Sequence, residues 1–347
     1  MARRKILTVV GARPQFIKAA PVTRAITAAG ELDEVMVHTG QHFGHDMSDV
    51  FFEELGIPQP AYVLGIHGGG HGAMTGRMMI ALEEVVAAEK PHAVLIYGDT
   101  NSTLAGALVA AKLYLPIGHV EAGLRSFQPM PEETNRVLAD RVSRWLFCPT
   151  STATENLRRE GIVTGVHQIG DVMYDVALMM RARAREKSTI LSRLGMERGE
   201  FQLATLHRAE NTDAADALAR ALEYLSKIAK NYSLVLPLHP RTRQAAKQYG
   251  LDFGSIVVVD PVGYLDMIAL LDGCTRVLTD SGGLQKEAYF FRKPCITLRS
   301  ATEWVETVEA GWNRLWTGPD YAPRKDITAY GDGAAAEKIV AVLATEL

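Results

Sequence analysis

Short apolar runs separated by longer segments of helical period recur along the chain, and this alternation restricts the fold more than any other feature. In the first half the runs are KILTVV (5–10), EVMVHT (34–39), AVLIYG (93–98), LPIGHVE (115–121) and RWLFCPT (144–150). Helical segments lie among them at 14–29, 46–55, 73–89, 101–114 and 131–143. Such alternation is the pattern of βαβ units, whose parallel strands are covered on both faces and therefore read as nearly continuous apolar stretches. A second series follows: FQLATL (201–206), SLVLPLH (233–239), SIVVVD (255–260), RVLTD (276–280) and PCITL (294–298), with helices at 213–230, 240–249, 263–273, 282–291 and 302–310. A long helical stretch, 171–194, carries the basic run RARAREK and connects the two series. The expectation is two doubly wound parallel-sheet α/β domains, 1–170 and 171–333, with a cleft between them. A final helical segment, 334–347, is placed to pack back on the first domain.

The 347 residues suffice for two ordinary domains with a core in each. A net charge of −3 argues against nucleic acid or an anionic membrane as the main partner. No run approaches the ~18 apolar residues of a membrane span. The opening MARRKILTVVGARP has only about five apolar residues before a glycine, too few for a secretory leader. Cys148, Cys274 and Cys295 are far apart, form no CxxC pair and sit in or beside apolar runs. Buried free thiols in a reducing cytoplasm are expected.

In open parallel sheets ligands bind at the carboxyl ends of the strands, and the polar motifs of this chain fall there. GARPQFIK follows the first strand and supplies Arg13 and Lys18, GDTNST supplies Asp99, and PIGHVEAG ends on Glu121. The stretch to Arg136 is then the loop and helix start beyond that rim, with Pro131, Glu132 and Glu133 in the first turn, where proline and acids are favoured. In the second half ATLHRAEN places His207 and Arg208, PLHPRTR places His239 and Arg241, and LTDSGGLQKE places Asp280 and Ser281. Gly282 and Gly283 permit close approach of backbone amides to a phosphate at a helix start, although a plain glycine turn reads equally well. Glu287, further along that helix, suits ribose hydroxyls.

Other motifs carry less. HGGGHGA (67–73) contains G-x-G-x-x-A but does not join the first strand to its helix, so a mobile loop is the reading there. No GxxxxGK[ST] occurs, which disfavours a P-loop. His42, His45, His67 and His71 lack the glutamate of HExxH and are expected in loops, so no metal site is expected. His38, His92, His119 and His167 read as structural or solvent-facing.

Taken in order, GARPQFIKAAPV, GDTNSTLAGAL, GHVEAGLRS, MPEETNR, TLHRAEN, DPVGYLDMIALL and LTDSGGLQKEA resemble the non-hydrolysing UDP-N-acetylglucosamine 2-epimerase family from about residue 5 to 318. The resemblance implies two Rossmann-like domains in the GT-B arrangement, a UDP-sugar in the cleft and a homodimer. It assigns catalytic roles to Asp99, Glu121, Glu132 and His207. Nucleotide contacts fall to Arg13, Lys18, His239, Ser281, Gly282, Gly283 and Glu287, with Arg136 nearby, while Glu133 reads as a helix-start residue. TLRSATEWVETVEAG has Trp304-Val305 where many members carry Arg-Pro, and residues 41–76 lack several glutamines of the family's allosteric site. An allosteric role stays open to Gln41, His42 and Arg77. GARPQFIK and TEWVE resemble the branch acting on UDP-2,3-diacetamido-2,3-dideoxyglucuronate, so two substrates stand beside each other.

The family chemistry explains the residue types. The hydrogen at carbon 2 of the sugar has no adjacent carbonyl, so its removal is coupled to expulsion of UDP from carbon 1, giving a glycal to which UDP adds back. One group takes the proton from one face and another supplies it to the other, work for clustered carboxylates. The leaving diphosphate calls for cations and amide donors. No hydride moves and no cofactor is expected. A glycosyltransferase of the same architecture has less use for three carboxylates around the sugar.

Overall fold

The computed structural model describes residues 3–41, 55–127 and 129–347, which form two compact units. The first comprises Met1–Val176 and Thr328–Leu347, the second Ala177–Ile327.

The first unit is built on a seven-stranded sheet in the order β3-β2-β1-β4-β5-β6-β7. Its strands are β1 (Arg4–Val10), β2 (Leu32–His38), β3 (Tyr62–Val63), β4 (Ala93–Tyr97), β5 (Ile117–Val120), β6 (Trp145–Cys148) and β7 (Val166–Gln168). Each pairs with its neighbours in parallel. The second unit has six parallel strands in the order β10-β9-β8-β11-β12-β13: β8 (Phe201–Thr205), β9 (Ser233–Pro237), β10 (Val257–Val259), β11 (Val277–Thr279), β12 (Cys295–Thr297) and β13 (Asn313–Leu315). In both sheets the winding reverses beside the first strand of the unit, where β1 meets β4 and β8 meets β11. Diverging loops at such a reversal leave a crevice at the strand tips.

Burial of both sheet faces accounts for the apolar runs. Leu7, Val9, Val94, Ile96 and Ile117 pack with Met78, Leu82, Val85 and Val109 from the helices 71–89 and 101–112. Leu234, Leu236, Leu278 and Ile296 do the same with Leu218, Leu222 and Leu225 in the second unit. The three cysteines are free and buried, and burial pushes the thiols of Cys148 and Cys274 up to about 12.

The short edge strands β3, β7 and β13 and the helix Ser151–Arg159 were not foreseen from the pattern. Thr150 starts that helix by accepting the Ala153 amide at 3.2 Å. The long segment 171–194 is two helices, Val172–Lys187 and Ile190–Leu194. Ser188 divides them, because its hydroxyl accepts the Ile190 amide at 3.3 Å and donates to Asp266 at 2.6 Å, giving the backbone a local alternative to continued helix. His71 is the first residue of the helix His71–Glu89, which corrects the expectation that it lies in a loop; the extended backbone ends at Gly70. Of the helix expected at 46–55, only Leu55 lies among the described residues, and His42 and His45 lie outside them.

The final helix, Ala335–Glu346, packs on the helix Arg13–Ala29. Its amino end is held by Asp175, which accepts the Ala335 and Ala336 amides at 3.2 and 2.8 Å. Burial raises the Asp175 carboxyl to about 6 against the opposing pull of those amides. No helix among the described residues is long and apolar enough to cross a membrane.

Candidate active site

The rim of the first unit is assembled from the ends of β1, β4 and β5. The β1 end is organised by Gln15, whose Oε1 accepts the Gly11 and Ala12 amides at 2.8 and 3.0 Å. The Gln15 amide donates to the Tyr97 carbonyl at 2.8 Å and so links the tips of β1 and β4. Arg13 opens the following helix and is exposed, while Lys18, one turn later, is largely buried and paired with Glu121. Gly98 turns the chain after β4 with φ +62°, and a side chain there would lie 3.5 Å from the Glu121 carboxylate and 3.7 Å from the Lys18 ammonium. The next residue, Asp99, is paired with Arg136.

Arg136 also reaches Glu133 at 3.2 Å. Glu133 turns back to the preceding loop, accepting the Ser126 amide at 3.0 Å, the Ser126 hydroxyl at 2.8 Å and the Phe127 amide at 3.2 Å. Burial works against ionisation of Glu133, but these hydrogen bonds and Arg136 hold its carboxyl below the ordinary value. Its neighbour Glu132 is half-buried and has no hydrogen bond or ion pair within the described residues. Asn135 donates to the Asp99 carbonyl at 2.9 Å. Glu121 itself sits at φ +71°, a left-handed conformation that a residue with a Cβ adopts only under local constraint.

The second unit arranges a different chemistry at the ends of β8, β9 and β11. Asp280, fully buried after β11, accepts the backbone amides of His207 and Arg208 at 2.9 and 2.8 Å and the Asn211 side chain at 3.1 Å. That fixes the turn presenting His207, whose ring lies 5.5 Å from the ring of His239, centroid to centroid. Burial lowers the His207 pKa from its ordinary value; Asp280 opposes the shift, and His239, Arg208 and Arg241 add to it. His239 accepts the Arg241 amide at 3.2 Å and caps the helix Pro240–Tyr249. Ser281 precedes the helix Gly282–Phe290. A Cβ on Gly282 would come within 2.2 Å of the Glu303 carboxylate, whereas one on Gly283 would meet nothing within 4 Å. Trp304 donates to the Gly282 carbonyl at 2.8 Å and lies under the Lys286 ammonium at 4.4 Å. Glu287 accepts the Tyr264 hydroxyl at 3.3 Å.

Within the first unit, Lys18 and Glu121 meet beside Gly98, and Asp99, Arg136 and Glu133 form the adjoining cluster. Within the second, His207 and His239 stand together beside the Asp280 turn. Of the residues considered for allostery, Gln41 accepts the Ser102 amide and hydroxyl at 3.2 and 2.9 Å, and Arg77 donates to the carbonyls of His67 and Gly68 at 3.1 and 2.5 Å. Among the described residues no three His, Cys, Asp or Glu side chains converge as metal ligands. Sequence reasoning did not single out Gln15, Asn135, Asp140 and Asn211 or the use made of His119. The available signal was a polar residue inside an otherwise apolar strand, as in IGHV (117–120), which requires a buried partner.

Comparison with known proteins bears on what such rims serve. A model of the UDP-N-acetylglucosamine 2-epimerase family matches residues 24–344. The chain is 52% identical to the UDP-2,3-diacetamido-2,3-dideoxy-D-glucuronate 2-epimerase of Pseudomonas aeruginosa, covering 98% of this chain and 99% of that one. It is 42% identical to a UDP-N-acetylglucosamine 2-epimerase of Methanococcus maripaludis, over 90% and 87% of the two chains. The crystal structure of Methanocaldococcus jannaschii UDP-GlcNAc 2-epimerase in complex with UDP-GlcNAc and UDP matches with a TM-score of 0.80 at 38% identity, covering 99% of this chain and 100% of that one. The Neisseria meningitidis enzyme bound to UDP-GlcNAc matches with a TM-score of 0.84 at 29% identity, over 98% and 100% of the chains. With its sequence matched almost end to end and both sheets in place, this chain belongs to the UDP-N-acetylglucosamine 2-epimerase family.

Proposed function

We propose that this protein inverts carbon 2 of a UDP-linked 2-acetamido sugar by eliminating UDP to a glycal and adding it back. The observation that carries this reading is the first unit's rim, where two strand-end acids are each held by a cation, Glu121 by Lys18 and Asp99 by Arg136. Asp99, Glu121 and Glu132 are the groups that take the proton from one face of the sugar and return it to the other. The second unit holds what a departing diphosphate needs: the amides after Ser281 at a helix start, and His207 with His239. Arg13 and Lys18 add positive charge, and Glu287 serves the ribose hydroxyls. In this reading Gln41, His42 and Arg77 contribute to a second, regulatory nucleotide-sugar site. Buried free thiols support a cytoplasmic setting, and we take the protein as a homodimer supplying a surface-polysaccharide precursor.

UDP-N-acetylglucosamine is the substrate that the family as a whole supports. A second reading, UDP-2,3-diacetamido-2,3-dideoxyglucuronate, is favoured by the 52% identity to the Pseudomonas aeruginosa enzyme. Turnover of both compounds in deuterated water separates these and tests the mechanism. The true substrate returns as two carbon-2 epimers carrying deuterium at that carbon. Epimers formed without isotope overturn the elimination, and release of free sugar with UDP marks a hydrolysing enzyme.

A further inference from the structure

Behind the rim of the first unit lies a buried ionic chain that the proposed chemistry does not use directly. His119, in the middle of β5, and Asp140, on the helix Pro131–Val142, are both fully buried. The ring Nδ1 lies 2.7 Å from Asp140 Oδ1, and Nε2 lies 2.7 Å from the Gly98 carbonyl oxygen. A carbonyl oxygen only accepts, so Nε2 carries a hydrogen. Nδ1 faces the Asp140 carboxylate, so both ring nitrogens are engaged and the orientation of the ring is fixed. The second oxygen of Asp140 accepts the Gly123 amide at 3.1 Å and Arg125 at 2.7 Å. Arg125 in turn makes a two-pronged contact with Glu160, at 2.6 and 2.9 Å. Arg125 thus lies between the carboxylates of Asp140 and Glu160 and pairs with both.

The attachment points give this chain a purpose beyond stability. Gly98 immediately precedes Asp99, and its carbonyl is held by His119 while the Asp99 carbonyl is held by Asn135. Residues 119 and 123, two on either side of Glu121, are both tied to the one Asp140 carboxylate. Glu121 lies between those anchors in its left-handed conformation, which survives only where the surroundings over-determine it. We propose that the His119–Asp140 pair is a positioning device that sets the aim of both Asp99 and Glu121. The proposal rests on the reading that these two acids handle the proton.

The test compares H119N, which can keep the Asp140 bond but does not reach the Gly98 carbonyl, with H119Q, which reaches that carbonyl. Misplacing a reacting group by about 1 Å costs on the order of 100-fold, so H119N is expected to lose about 30–100-fold in kcat with KM within about threefold. H119Q is expected to stay within about tenfold of the parent. Because the device acts through Asp99, D99N should cost at least about tenfold less in the H119N background than in the parent. Parent-like kcat in H119N overturns the proposal. So does a joint fall of kcat, substrate affinity and melting temperature in which D99N still exacts its full factor, since that describes a purely structural pair. If H119N does not fold, a folded H119Q below about a hundredth of the parent kcat overturns it, and H119Q within tenfold with the full D99N effect upholds it. D99N and E121Q in the parent serve as the control: normal turnover there defeats the reading of the acids, whatever the His119 variants do.

Discussion

The two units share a parallel sheet wound in the same sense, yet the acid at a strand tip is used differently in each. The first rim pairs each strand-end acid with a basic side chain, Lys18 with Glu121 and Arg136 with Asp99. The second uses the acid after β11 internally: Asp280 is taken up by the amides of His207 and Arg208, beside a histidine pair and a glycine turn, while Arg241 pairs with Asp213 and Arg299 with Glu210 and Glu303. Under the proposed function, one architecture yields a rim that moves protons and a rim that grips a charged group as it departs and returns. The lesson is that a strand end is a mounting position, and the chemistry is decided by whether its polar residue faces out or is used up in holding the loop.

The sharpest way to break this contrast is to remove one acid from the first rim. D99N or E121Q is expected to lower kcat by about 10²–10⁴-fold with UDP affinity changed only a few-fold, measured by steady-state kinetics and UDP titration. A loss of UDP affinity with kcat intact would instead make the first rim a binding surface. The converse experiment is G283A in the second unit. Its Cβ has open space and replaces glycine in a helix, so the melting temperature should hold or rise, by at most about 1 kcal/mol of stability. Yet UDP affinity should fall about tenfold, one decade being about 1.4 kcal/mol, because the methyl stands where a phosphate would approach the amides. Unchanged affinity would show that the glycine turn grips nothing.

The smallest effect tests whether acids of the first unit away from the rim behave differently. Asp175 caps the final helix and its carboxyl is raised to about 6, so folding favours its protonated form. Its contribution is complete below the unfolded carboxyl range and is lost as pH rises through about 6. Relative to D175N, the parent should therefore lose about 1–2 kcal/mol between pH 5 and pH 8, read from denaturant unfolding at the two values. A constant difference would show that folding does not favour the protonated form of this acid.

Much of this was legible in the sequence because the fold is periodic and the rim residues are local. Apolar runs located ten strands, and Asp99, Glu121, His207 and Ser281 each follow one within a few positions. What escaped depended on distant partners or on very short elements. A two-residue strand such as Tyr62–Val63 has no period to detect and exists because β2 offers an edge to pair with. His119 and Asp140 lie 21 residues apart, and neither is unusual until β5 and its following helix bring them together. Glu133 resembled a helix-start acid, and its hold on the Ser126 and Phe127 amides emerges only once the loop closes over it.

The inert cysteines make this protein convenient to label. A thiol reacts as its thiolate, and at neutral pH groups raised to about 12, as Cys148 and Cys274 are, hold only about one thiolate in 10⁵ molecules, with Cys295 higher still. A single cysteine introduced on either rim would therefore take up maleimide dyes or spin probes while the native three stay silent, with no need to engineer them away.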